Sequence, residues 1–338
     1  MRKALGFIFV SLLLCCPLMA QVSYNPNLTN IVQVVYNTSK ASVVVSSNLQ
    51  AYVTTTISGG NVSIVQSNTV SASTCGEIIY QLSGTSTTGS FYMEGAYKAT
   101  IELHGLSLTN PSGPAINIQN GKRIEMRPID GTNNTIKDGT STDVDAWKAA
   151  IYCKGHLEFK DRGTLNVYGN YAHAIYTKEY MSIKNCTINV YSAVKDALHC
   201  REYFLMESGY VSLKGFASDG IECNIDGTAS TGETANHDNE DSGNIYIMGG
   251  TLLIDMSKSA GDSIKADGKQ IVSEDAVVNV LDHTTALESI FATQQTIQVY
   301  NLLGTYVGKF ESPESIMTLP KGTYIIRTSN MTKKINVL

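Results

Sequence analysis

Apolar and polar residues alternate in short runs along most of this chain, and the runs recur on a fixed beat. Between 148 and 268 one phrase returns as KAAIYCK (148–154), HAIYTKE (173–179), DALHCRE (196–202), DGIECNI (219–225) and DSIKADG (262–268). Its central apolar residues Ile151, Ile175, Leu198, Ile221 and Ile264 stand 24, 23, 23 and 43 positions apart, so the last interval is one period plus an insertion. A second phrase keeps step: RGTLNVY (162–168), NCTINVY (185–191), SGYVSLK (208–214) and GGTLLID (249–255). Alternation of this kind is strand periodicity, and no helical stretch separates the runs. Self-similarity near two dozen residues is the mark of a solenoid whose units bury their apolar faces only by stacking. Leucine-rich repeats share that length but need Leu at several fixed positions, and here Ile, Leu, Val and Tyr are mixed. The expected fold is all-β, a right-handed parallel β-helix with about one turn per period, its hand resting on the general preference of parallel crossovers.

The rest of the chain divides around this repeat. Residues 1–20 run from Arg2 and Lys3 through an apolar stretch to Ala20 and read as a secretory signal peptide. Cys15 and Cys16 raise a lipoprotein alternative, but large leucines precede them where a lipobox needs small residues. Residues 21–75 read as an arm and an N-terminal β cap, with a hairpin over 51–67 turning at Gly59 and Gly60. The β-helix is assigned to 76–281, with a polar loop at 130–145 and a projecting acidic insertion at 224–243. A linker over 282–295 leads to 296–338, three strands between Gly and Pro turns, expected as a small β-sandwich.

Removing Arg2 and Lys3 with the leader moves the net charge from −5 to −7. With no basic patch to release phosphate counterions, a nucleic-acid partner is excluded. No second apolar run is long enough to span a bilayer, which points to a soluble or surface-tethered product. Five cysteines remain, and Cys153, Cys200 and Cys223 share one repeat position. They are expected inside as packed thiols, with a Cys200 to Cys223 bridge as the alternative on adjacent turns.

Two columns of the repeat carry candidate chemistry. Asp196, Asp219 and Asp262 fall at one position and form a row of carboxylates, with Glu222 close by. Stacked like charges favour a bridging hard cation such as calcium, or each Asp caps a neighbouring backbone N–H. Tyr152, Tyr176, His199, Glu222 and Lys265 form an outward column suited to stacking on sugar rings and bonding their hydroxyls, or else an ordinary solvated sheet face.

With these motifs in view, 76–281 resembles the secreted bacterial carbohydrate-binding β-helix proteins, through LSG at 82–84, GPAI at 113–116, NTIKDG at 134–139, DALH at 196–199 and DGIE at 219–222. The resemblance implies a pectate-lyase-like architecture that binds calcium and acidic polysaccharide such as polygalacturonate, without catalysis. KAAI at 148–151 and HAIY at 173–176 depart from it by lacking the Asp. Residues 296–338 resemble the C-terminal sorting domains of type IX secretion, through IQVYNLLG, LPKGTYIIR and KKINVL. That implies export by this machinery to the outer surface of a Gram-negative, Bacteroidetes-like cell.

The expectation is therefore a secreted or surface, non-catalytic binder of uronate-containing polysaccharide with calcium assistance. It is expected to be monomeric, because the N-terminal cap opposes end-to-end stacking. One alternative is a calcium-dependent pectate-type lyase with Arg201 or Lys265 as base. The other is a structural or adhesive surface protein.

Overall fold

The computed structural model describes residues 30–142, 147–225, 241–281, 297–311, 313–316, 318–320, 322–327 and 332–337. The leader, most of the acidic insertion and the linker lie outside the described residues. Among the described residues no helix is long and apolar enough to cross a membrane.

Strand pairing obeys the beat seen in the sequence. Ile151 lies opposite Ile175, Ile175 opposite Leu198, Leu198 opposite Ile221 and Ile221 opposite Ile264, all in parallel register. These strands belong to a nine-stranded sheet that runs Val53–Ser58, Gly60–Gln66, Gly89–Gly95, Ile116–Asn120, Ala149–Cys153, His173–Thr177, Leu198–Arg201, Ile221–Asn224 and Ile264–Ala266. Its first two strands are the hairpin over 51–67, with Gly59 at φ +59°. Only a residue tolerant of the left-handed region suits that turn.

The expected right-handed parallel β-helix, a solenoid of separate stacked faces, is not the architecture of the rest. A sixteen-stranded sheet contains one continuous path of thirteen parallel strands. It passes from Gln270–Val272 through Asn244–Ile247, Tyr203–Met206, Met181–Ile183, Leu157–Phe159 and Ile124–Pro128 to Ala99–Thr109. It returns through Asn133–Lys137, Thr164–Gly169, Thr187–Ala193, Tyr210–Leu213 and Gly250–Asp255 to Ala276–Leu281. The two ends of the path are neighbours in the chain, so this wall is nearly closed and barrel-like. The cause is the strand Ala99–Thr109: residues 99–103 pair with Ile124–Pro128, whereas 107–109 pair with Asn133–Lys137. Gly105, at φ +71°, bends it between those two duties. Off the path, Ile31–Thr38 pairs antiparallel with Lys40–Val45 and parallel with Ile78–Ser86.

The interior is one apolar cluster that takes in Ile151, Ile175, Leu198 and Ile221 with Cys153, Cys200 and Cys223. Cys200 and Cys223 face each other across the ladder, and all five described cysteines are free thiols. The polar segment expected as a loop at 130–145 holds a strand instead, Asn133–Lys137. Its Ile136 is buried, and the side chain of the fully buried Asn134 accepts the Leu106 N–H at 2.8 Å and donates to the Thr164 carbonyl at 3.1 Å. Satisfied in this way, an asparagine enters a core that its polarity would otherwise forbid.

The C-terminal residues form a single four-stranded antiparallel sheet and not the expected β-sandwich. Its order is Tyr306–Phe310, Ile297–Asn301, Gly322–Arg327 and Thr332–Val337. Ile297, Val299, Tyr324 and Ile326 bury one face against Ile316 of the short helix Pro313–Ile316, so a helix and not a second sheet covers that core.

Beside the strand Asn133–Lys137, Asp138 is 3% exposed and its Oδ1 accepts the Asn170 N–H at 2.5 Å. Burial raises its pKa from 3.8 to about 7, against the lowering effect of backbone N–H groups from Asn170 and Tyr171. A carboxyl raised on folding contributes stability that is complete below its unfolded pKa and is lost as pH rises through the folded value. Wild-type unfolding midpoints in urea should therefore decline between about pH 4 and pH 7. In Asp138→Asn that decline should be flatter, and an unchanged profile would refute the assignment.

Candidate functional site

Parallel in-register pairing stacks equivalent residues about 4.8 Å apart, so each repeat position becomes a column. The position after the central apolar residue gives Asn117, Tyr152, Tyr176, His199, Glu222 and Lys265, each opposite the next. All five residues of the expected outward column are thus brought together. The column extends past them to Tyr92, which lies opposite Asn117.

Their exposure differs from the expectation. Tyr152 is only 2% exposed, so it does not face outward as an open platform. Its ring lies parallel to that of Tyr176 with centroids 5.5 Å apart, and Tyr176 stacks in turn on His199 at 4.7 Å. The aromatic part of the column is a continuous ring stack, partly closed to solvent.

At the Tyr92 end the wall opens into a cleft of about 130 Å³, lined by Tyr92, Asn117, Asn110, Thr142 and Trp147 among others. Trp147, the single tryptophan of the chain, inclines to Tyr92 at 50° with centroids 6.1 Å apart. The Tyr92 hydroxyl donates to Glu94 at 3.1 Å, and Gln119 donates to Asn117 at 2.7 Å, which fixes both groups. Sequence reasoning missed this cleft. Asn117 was within reach, because Ile116 of the GPAI phrase occupies the place of Ile151.

At the other end lies a charged cluster. The Asp row is real as a column: the Asp196 Oδ1 accepts the Asp219 N–H at 3.0 Å, and the Asp219 Oδ1 accepts the Asp262 N–H at 2.7 Å. Each carboxylate therefore holds the backbone of the following turn. The position two before Ile175 is His173, which takes the place filled by Asp on later turns. Both imidazoles converge on one carboxylate oxygen, with His173 Nδ1 2.9 Å and His199 Nδ1 2.8 Å from Asp196 Oδ2. His199 Nδ1 is also 3.1 Å from Glu222 Oε2. The Lys265 ammonium lies 2.6 Å from Glu222 Oε1 and 3.3 Å from Asp219 Oδ2.

Burial alone would raise the Asp196 pKa, but the neighbouring imidazoles of His173 and His199 outweigh it and hold this carboxyl below its usual range. For His199 burial acts to lower the pKa, yet Asp196 and Glu222 outweigh it and the net shift is upward. For His173 burial prevails over Asp196 and the pKa is lowered. Bonding to His199 comes first among the causes that lower Glu222.

Asp196, Asp219 and Glu222 bring ligand oxygens within 4.8 Å of one another, and Asp262 does not join that group. All six oxygens of these three carboxylates already face a protein donor. Calcium requires six to eight oxygen ligands, so the expected ladder of Asp196, Asp219, Asp262 and Glu222 does not fit it with Lys265 in place. Of the two bases expected for a lyase, Lys265 is held in its charged form by Glu222 and Asp219. Arg201 lies opposite Asn224 on the sheet, and a guanidinium keeps its proton.

Around the corner of the same turns is a second group, His156, Glu179 and Glu202, with His156 and Glu202 fully buried. His156 stacks on Tyr180 at 4.3 Å, and Tyr180 on Tyr203 at 4.6 Å.

A group whose pKa is raised on folding contributes stability that is complete below its free value, 6.5 for His199, and is lost as pH rises through the folded value. Above pH 6.5 the melting temperature of wild type should fall relative to His199→Gln. Parallel curves for the two proteins would show that His199 gains nothing from its carboxylates.

A family model described as "Carbohydrate-binding domain-containing protein" matches residues 66–301. Among solved structures, the chain is similar to a polysaccharide lyase-like protein from C. thermocellum, determined as a gadolinium derivative. The two share 19% identity with a TM-score of 0.51 over 75% of this chain and 97% of the other, a likeness of fold. No curated protein matches the sequence.

Proposed function

Because the chain belongs to the family of carbohydrate-binding domain-containing proteins, we propose that it binds polysaccharide along the column from Tyr92 to Lys265, without cleaving it. The observation that carries this reading is the cleft lined by the mutually packed Tyr92 and Trp147 with Asn110, Asn117 and Thr142. This aromatic pair, with the amides of Asn117 and of Asn110, the latter held by its bond to the Pro114 carbonyl at 2.8 Å, suits one sugar ring and its hydroxyls. The partly exposed Tyr176 and His199 offer a second contact further along the chain of sugars.

Charge argues against the narrower uronate reading at the far end. Asp196, Asp219 and Glu222 outnumber Lys265 and His199 together, so a uronate carboxylate would meet a net negative surface. Neutral polymers are the class this arrangement favours. A lyase needs a deprotonated base, and neither Lys265 nor Arg201 supplies one at neutral pH. On this reading the leader and residues 296–338 serve export and anchoring at the cell surface.

Full-length protein on an array of neutral and uronate polysaccharides should bind neutral polymers. Trp147→Ala and Tyr92→Ala should each weaken that binding about tenfold or more, with melting temperatures near wild type. Adding calcium to metal-stripped protein should leave the binding unchanged. Calcium-dependent binding of polygalacturonate that survives both substitutions would sink the proposal. An array with no glycan bound would favour the adhesive alternative.

A further inference from the structure

The structure assigns a transition-metal site, of the kind that takes zinc or cobalt(II), to His173, Asp196 and His199, with Glu222 Oε2 3.1 Å from His199 Nδ1 on the next turn. The four residues come from three successive turns, and His173 Nδ1, His199 Nδ1 and an oxygen of Asp196 lie within 4.8 Å of one another. Two imidazole nitrogens come within hydrogen-bond distance of a single carboxylate oxygen, Asp196 Oδ2. His199 Nδ1 does bond to Asp196 Oδ2 in regular hydrogen-bond geometry. His173 Nδ1 does not: this buried nitrogen sits 2.9 Å from the same oxygen, yet no acceptor lies along its N–H direction. The His173 residue is 6% exposed, so solvent does not complete it.

A metal centre accounts for that arrangement. Tetrahedral bonds of about 2.0–2.1 Å place neighbouring ligand atoms roughly 3.3 Å apart. The contacts here are 2.8, 2.9 and 3.1 Å, so each must open by about half an ångström or less. A site collapsed by that amount is what a preformed set of ligands looks like when their protons stand in for the ion. Imidazole nitrogen with carboxylate oxygen selects zinc and its neighbours over calcium, which prefers oxygen alone. The carboxylates also keep their outer partners, since Asp196 Oδ1 holds the Asp219 N–H and Glu222 Oε1 holds Lys265. Such outer contacts orient ligands and raise affinity. The inference does not rest on the sugar-binding reading, and its readout is the metal alone.

Cobalt(II) added to the metal-stripped full chain should bind one ion per chain and give the visible ligand-field absorption of a tetrahedral nitrogen and oxygen site. Zinc should displace it, and excess calcium should not. His173→Asn, Asp196→Asn and His199→Gln should each weaken binding by at least about tenfold, judged from proteins whose circular dichroism matches wild type. His199→Gln, at the most exposed of the three positions, serves if the buried substitutions fail to fold. Asp262→Asn, outside the ligand set, should bind as wild type does. No stoichiometric cobalt or zinc, or binding retained by a His173→Asn, His199→Gln double variant, would overturn the assignment.

Discussion

In-register parallel stacking is the constraint on which everything else in this molecule depends. Once Ile151, Ile175, Leu198, Ile221 and Ile264 are locked opposite one another, every other position of the phrase is forced into a column of its own. A slip of one residue would turn the whole apolar row to the other face, so burial of the core also fixes the chemistry at its edge. Glu222 meets His199 for the same reason that Ile221 meets Leu198.

This coupling explains how charged groups can sit at the rim of a dry interior. Asp196 and Asp219 are both nearly buried, a state tolerable only because each has backbone and side-chain donors at hydrogen-bond distance. The turns supply those donors at a spacing that individual side-chain flexibility could not guarantee. What results is a run of acids and bases from His173 to Lys265, continuous with a column of Tyr92, Asn117, Tyr152 and Tyr176.

Much of this was legible in the primary structure because period and alternation are geometric statements. The outward column from Tyr152 to Lys265, the Asp column and the inward cysteines all follow from counting. Counting does not say what lies over a column, so the burial of Tyr152 was hidden. Nor does it show one strand serving two neighbours: Ala99–Thr109 reads like any other run, yet its split pairing converts stacked faces into a nearly closed wall. Composition misled at Asn133–Lys137, where satisfied amides replace apolar side chains. His173 was visible as a missing Asp. Its convergence with His199 on a single oxygen needed coordinates, since it depends on two rings turning toward one carboxylate.

The Asp219 carboxylate grips the backbone of Asp262 across 43 residues of chain, and Glu222 grips Lys265 across the same gap. These clasps close the rung independently of what lies between its two sides. Residues 226–240 are thus set into the protein at a point where the flanking turns are already tied together. Closure entropy grows only slowly with length, so this is the place where the scaffold could accept a longer or wholly different segment.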